Sequence, residues 1–292
     1  MTYHLSAMDI WFWTSTGTYP FDVRCEMLAE LGFDGLSPTL WNDLAWEVVP
    51  RLGQIKSAHG LDVTGLFTYL TSPADEVGVR RIERLLRDAD GFSRVEIAIF
   101  SCGDDLIGAS DQRGDELVIP VLQRLLDSAD ASAVSLSLYP HRSWWLQTTA
   151  DALRLADRLS HPRMATSFSA YHWYSGDGHD LRQVLRDSAH LLDSVSLSGA
   201  DGNNRPPTVE PFGQGELDTF TLLAELRHIE YRGPVQFFGY GVGGDVYAQL
   251  RGAIEAFKET EQRLERHPDW GADTSLVSPD LPAVLGRSNQ WR

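Results

Sequence analysis

Lysine is almost missing from this chain of 292 residues. Only Lys56 and Lys258 occur, and both lie in stretches that read as helices. A lysine that forms a Schiff base with a carbonyl substrate or with pyridoxal phosphate must reach a reaction centre, so that chemistry is excluded. Positive charge is scarce in general: 25 Lys and Arg stand against 41 Asp and Glu, a formal net charge of −16. Phosphate backbones are held by basic surfaces, which excludes nucleic acid as a partner. Cysteine is limited to Cys25 and Cys102. Two cysteines give no disulfide framework and suit a cytoplasmic protein. Acidic neighbours, Asp104 and Asp105, would hold the Cys102 thiol protonated, so it does not read as a nucleophile. No apolar run reaches the ~20 residues of a membrane span, and no secretory signal opens the chain.

What remains is an ordinary globular composition, 42% hydrophobic and 23% charged, at a length that suits one barrel of roughly 250 residues plus a tail. Strand-like runs fall near 4–13, 33–40, 61–69, 94–101, 133–139, 164–171, 194–199 and 234–240. Helical apolar spacing lies between them, as in Val23 to Leu31, Val48 to Ile55 and Leu181 to Leu192. Eight strand-then-helix units at ~30-residue spacing predict an α/β fold, a closed (β/α)8 TIM barrel. The barrel is expected over 1–266 as one domain. Residues 267–292, rich in Pro, Gly, Ser and Asp, read as an extended tail that offers Trp270 or Trp291 for self-association.

Chemistry in such barrels sits at the carboxyl ends of the strands. Of nine histidines, only His141 and His172 fall there. With Tyr139 and Asp201 they form the candidate acid–base set, and Glu96, inside the fourth strand, and Asp9 are reserve acids. Each histidine also has a bland reading as a structural residue bonding loop backbone, and Asp201 one as a turn residue. Aromatic side chains crowd the same ends: Trp11, Trp13, Trp41, Trp144, Trp145, Tyr171, Trp173 and Tyr240. Their faces suit the C–H faces of a sugar-sized ligand, with Arg142, Ser169 and Ser198 as polar contacts. The run Gly239 to Gly244 resembles a phosphate loop, a weak motif by itself. Arg142 and Arg205 are the main cations of the mouth, which favours a neutral ligand over a phosphorylated one.

Several segments carry a resemblance: VSLSLYPH (134–141), HPRMATSFSAYHW (161–173), SVSLSGADG (194–202), PFGQGELD (211–218) and YRGPVQFFGYG (231–241), with a looser match in LAELGFDGLSPT (28–39). Together they resemble the sugar phosphate isomerase/epimerase family of xylose-isomerase-like barrels. The resemblance implies a divalent metal held by a Glu, an Asp, a His and a Glu at the ends of strands five to eight. Those positions are Tyr139, Ser169, Ser198 and Phe238 in this chain. A tyrosine and two serines do not replace two carboxylates and an imidazole. The resemblance therefore implies a divergent member that needs no cofactor: an isomerase, epimerase or lyase moving protons on a carbohydrate- or polyol-like small molecule. Two alternatives stand beside it. One is a non-catalytic carbohydrate-binding or partner subunit. The other is a metal enzyme with a displaced set such as His141, His172 and Asp201.

Overall fold

Runs of β-branched and aliphatic residues become parallel strands, and segments with apolar positions at helical spacing return the chain to the opposite end. The structure, a computed structural model, describes residues 3–102, 107–203 and 206–271. Eight strands surround one axis: β1 (Leu5–Met8), β2 (Gly35–Ser37), β3 (Asp62–Val63 and Leu66–Leu70), β4 (Arg94–Ile99), β5 (Ser135–Leu138), β6 (Met164–Ser169), β7 (Leu192–Leu197) and β8 (Val235–Phe237). Neighbours follow the order β3-β2-β1-β8-β7-β6-β5-β4-β3. The first part of β3 pairs with β2 and the second with β4. A parallel bridge between Thr39 and Phe67 closes the ring, with Leu40 N–H donating to Phe67 C=O at 2.7 Å. The expected (β/α)8 barrel in a single domain is what forms.

Alternation along each strand sorts the side chains into two layers. On β4, Val95, Ile97 and Ile99 join the main core between sheet and helices, while Ala98 belongs to a second cluster at the mouth. The helices Glu76–Arg87 and Asp115–Ala131 cover this face with Val79, Ile82, Val118 and Leu122, all fully or nearly fully buried. Their starts follow from short polar caps. Asp75 accepts from Gly78 N–H at 2.9 Å. Before the helix Thr149–Leu159, the Thr148 hydroxyl accepts from Asp151 N–H, and the Asp151 carboxylate accepts from Thr148 N–H, a reciprocal cap.

The barrel interior is unusual, because such barrels mostly fill with Val, Ile and Leu. Here β5, β6 and β7 send serines inward. Ser137 and Ser167 share a hydrogen bond of 2.9 Å, Ser194 donates to Ser167 at 2.9 Å, and Ser137 donates to Asp193 at 2.7 Å. Asp193 pairs with Arg94 at 2.9 Å near the amino ends of the strands. Across the barrel, Gln236 on β8 donates to Glu96 on β4.

Four of the differences from the sequence reading bear on the site or the tail. The first strand stops at Met8, and Ile10–Trp13 forms a single helical turn begun by Asp9. The sixth stops at Ser169, where the helix Ala170–Gly176 takes over. The helix Leu181–Ser188 ends early, and Leu192 opens β7. Residues Pro268–Gly271 form a 3-10 turn whose Trp270 stacks on His267 at 3.9 Å and approaches Phe220. The rest of the expected tail, with Trp291, lies outside the described residues. No helix among the described residues is long and apolar enough to cross a membrane.

Candidate functional site

The carboxyl ends of the strands open on a cavity of about 490 Å3. Its floor is the second apolar cluster, including Met8, Ile10, Phe67, Tyr139 and Phe238. Tyr139 and Phe67 meet edge to face at 4.9 Å. One wall is Tyr69, Phe100 and Trp144, with Trp144 5.3 Å from each of the other two rings. The facing wall is Trp41 and Tyr240, 6.3 Å apart.

His141 follows β5 directly, and His172 sits in the first turn of the helix after β6; both line the cavity. Their ring centroids are 3.9 Å apart, and His141 stacks on Trp144 at 3.8 Å. Burial pushes His141 down to about 4. His172 is held well below the usual imidazole range by burial, then by His141 and Arg142. Both rings are therefore neutral at pH 7. Their hydrogen bonds fix the tautomers. The Arg142 carbonyl can only accept, so His141 Nδ1–H donates to it, at 3.0 Å, and Nε2 is bare. Arg142 N–H donates to His172 Nδ1 at 3.3 Å, so His172 carries its proton on Nε2.

Of the candidates read from the sequence, Tyr139, His141, Arg142, Trp144, His172 and Tyr240 line this cavity together. The others do not. Trp11 is packed beneath the end of β8 and donates to Phe237 C=O at 3.0 Å. A Cβ on Gly239 would lie 2.1 Å from its ring, so glycine is what allows that approach. Trp145 donates to Asp111 C=O at 2.9 Å and Trp173 to His179 C=O at 3.1 Å; both are buried in the wall. Trp13 bonds to Asp9 at 3.1 Å and stacks under Arg24. Asp9 itself accepts from Thr39 N–H, Trp13 and Arg24, which commits this reserve acid to bracing the ends of β1 and β2. Asp201 lies on a small hairpin, Gly199–Asp201 with Thr208–Glu210, and accepts from Asn203 N–H at 2.8 Å. Glu96 is fully buried inside the barrel, where desolvation raises its carboxyl above the usual range. Ser169 and Ser198 are buried outside the lining. Arg205 lies outside the described residues, as do Asp104 and Asp105. Cys102 is buried and its thiol pushed up to about 12 by desolvation, then by Asp115 and Asp111, so it is inert. Phe100, Met8 and Ile10 went unnoticed in the sequence. Strict alternation from the inward Ala98 places Phe100 at the mouth, and from Ser6 it places Met8 there.

The positions that a metal would require can now be tested. Burial raises the Tyr139 phenol above its ordinary value, against the pull of neighbouring Ser169, so it is not a phenolate. The Tyr139, Ser169 and Ser198 hydroxyls are buried without hydrogen-bond partners, and Phe238 has no donor atom. Among the described residues no group of three or more His, Cys, Asp or Glu could hold a metal ion. Neutral hydroxyls and a phenyl ring do not fit a hard divalent ion, and Asp201 does not join the two histidines.

A closed parallel barrel with a site built from its carboxyl-end loops is an enzyme architecture shared by many chemistries. Residues 25–260 match the model of the xylose isomerase-like TIM barrel, and the chain belongs to that family. Solved structures with the same fold include YcjR, a 3-keto-D-glucoside 4-epimerase from E. coli: 19% identity, 89% of this chain, all of the other, TM-score 0.70. An L-ribulose 3-epimerase superposes over 92% of this chain and 97% of its own, with 15% identity and a TM-score of 0.74. The probable 3-DHS dehydratase AsbF of Bacillus anthracis covers 88% and 99%, with 16% identity and a TM-score of 0.67. At these identities the likeness is one of fold. No curated protein matches the chain.

Proposed function

We propose that the chain is a proton-transfer enzyme, an isomerase, epimerase or lyase, acting on a neutral small molecule of the carbohydrate-like class inside the mouth cavity. The observation that carries this reading is the His141–His172 pair, two neutral imidazoles 3.9 Å apart with opposite tautomers. His141 Nε2 is a base for a proton on carbon beside a carbonyl. His172 Nε2–H is a donor for the oxygen that becomes negative as that proton leaves. A neutral imidazole is a useful electrophile because it donates without first being ionised. The donor set at the strand ends gives the proposal no metal step. The activities of the fold neighbours, two epimerases and a probable dehydratase, are compatible with proton abstraction next to a carbonyl.

A second reading, a binding module without catalysis, is favoured by one observation: a histidine pushed down to about 4 is a weak base. Proton NMR in D2O with a panel of ketoses, keto-glycosides and cyclic ketones separates the two. Loss of a substrate C–H signal that stops in His141→Gln and His172→Gln supports the enzyme. Saturable binding across the panel without exchange supports the module and sinks the enzyme.

A further inference from the structure

We infer that the cavity selects a molecule whose body is a flat, largely apolar ring system bearing a carbonyl or hydroxyl, rather than a polyhydroxylated sugar. This deepens the proposed function by naming a substrate class, and it rests on that reading only in using the same cavity. It departs from the carbohydrate-like class expected from the sequence and keeps only the neutral, carbonyl-bearing part of that reading.

The lining holds nine aromatic rings besides the two imidazoles, and among the described residues it holds no Asp, Glu, Asn, Gln, Lys or Ser. A polyol entering such a place loses hydrogen bonds to water at every hydroxyl and must regain them from the wall. The polar groups available are few, because several are already committed. Tyr171 Oη donates to Pro207 C=O at 2.7 Å, and Arg142 Nε donates to Ser175 C=O at 3.0 Å. Both histidine Nδ1 atoms are taken by the Arg142 peptide groups. What remains among the described residues is scattered: the two histidine Nε2 atoms, the Arg142 terminal nitrogens, Thr71 Oγ1 and the Tyr69 and Tyr240 hydroxyls, because the unpartnered Thr39 Oγ1, Trp41 Nε1 and Tyr139 Oη are themselves buried out of a ligand's reach. These suit a ligand with a small number of oxygens, not one with a hydroxyl on each carbon.

The rim points the same way. Phe100 and Tyr240 are 50% and 51% exposed, rare for large apolar side chains in this structure. They follow β4 and β8, which stand on opposite sides of the eight-strand ring. Exposed rings that face each other across an opening gain most by covering an apolar ligand surface. The metal position nearest the floor is filled by Phe238, whose ring lies 5.7 Å from His172 and 6.1 Å from Tyr171. A phenyl ring there extends the apolar floor beneath the acid–base pair.

The test is ligand-observed NMR with two probe sets on the full chain: the aryl ketones 4-hydroxyacetophenone and 1-tetralone, and the polyols D-fructose, D-xylose and myo-inositol. The aryl ketones are expected to bind at least about tenfold more tightly than any polyol, and Trp144→Ala and the rim variant Phe100→Ala to weaken them by about three- to tenfold. Polyols binding as tightly as the ketones would overturn the inference. So would no ketone binding at about 10 mM, or ketone binding unchanged in both variants. Binding and proton exchange are read separately on the parent chain. Absent proton exchange would then count against the proposed chemistry and leave the ligand class intact, while exchange on a sugar with weak ketone binding would do the reverse.

Discussion

One residue orders the whole acid–base pair. Arg142 C=O accepts from His141 Nδ1–H at 3.0 Å, and the N–H of the same residue donates to His172 Nδ1 at 3.3 Å. The two rings are thereby set in opposite tautomers, with no carboxylate hydrogen-bonded to either among the described residues. That differs from the usual arrangement, in which an Asp or Glu orients a catalytic histidine and raises its basicity. Burial leaves both rings neutral, outweighing the Arg142 carbonyl that favours the charged form of His141.

The pH dependence follows from this. If His141 is the base, it must be unprotonated, and burial pushes it down to about 4. Proton exchange on substrate is therefore expected to hold from neutral pH down to about 5 and to fall only as pH nears 4. An acid limb near the ordinary imidazole value of about 6.5 would show that His141 is not the titrating base.

His141→Gln and His172→Gln are each expected to lower exchange by about 10²–10⁴-fold with the fold retained, as judged by circular dichroism. Near-normal exchange in both variants would remove the pair from the mechanism.

The same shifts predict a stability trend. Both histidines are depressed in the fold, so the unfolded chain binds protons that the folded one refuses. Their contribution is complete above the unfolded value of about 6.5 and is lost as pH falls from there towards about 4, by up to about 1.4 kcal/mol per pH unit for each ring. Urea midpoints measured at pH 7 and pH 5 should differ less in the His141→Gln/His172→Gln variant than in the parent. An equal difference would refute the assigned shifts.

Glu96 gives the opposite sign. Desolvation raises its carboxyl against Ser194, Arg94 and Gln236, so the folded state holds a proton that the unfolded state releases above about 4.5. Ionised Glu96 therefore costs stability as pH rises. Glu96→Gln is expected to raise Tm at pH 8 and to change it little at pH 4.5. A variant less stable than the parent at pH 8 would show that the charge is well paired after all.

How much of this was legible beforehand follows from which forces act locally. The parallel barrel was, because alternating strands and helical spacing are properties of contiguous residues such as Arg94 to Ile99. The pairing of His141 with His172 was legible as two histidines at strand ends, but not as a single stack, since the sixth strand was read through Tyr171 and the helix Ala170–Gly176 that carries His172 was not expected. The aromatic lining was read too broadly. Trp11, Trp145 and Trp173 are in the right segments, yet each indole N–H is satisfied by a backbone carbonyl distant or offset in sequence. No local pattern reports that choice. Trp41, Tyr69 and Phe100 line the cavity because of barrel closure through the Thr39–Phe67 bridge, which is a long-range event.

Adjacent tryptophans provide the sharpest test of that division. Trp144 faces the cavity between His141 and Phe100, whereas Trp145 is 2% exposed and bonded to Asp111 C=O. It is packed so closely that a Cβ on Gly114 would lie 2.5 Å from its indole nitrogen. Removing a fully buried ring leaves a cavity and takes one of two donors from Asp111 C=O, which keeps Gly114 N–H, so Trp145→Ala is expected to cost about 3–5 kcal/mol of stability. Trp144→Ala removes a ring whose outer face is open to the ligand, so its main effect should be on binding, by several-fold to about tenfold, with a smaller loss of stability. Denaturation and ligand titration on the two variants would measure both quantities. If Trp145→Ala binds ligand worse than Trp144→Ala at equal folded fraction, the wall and the lining have been assigned the wrong way round.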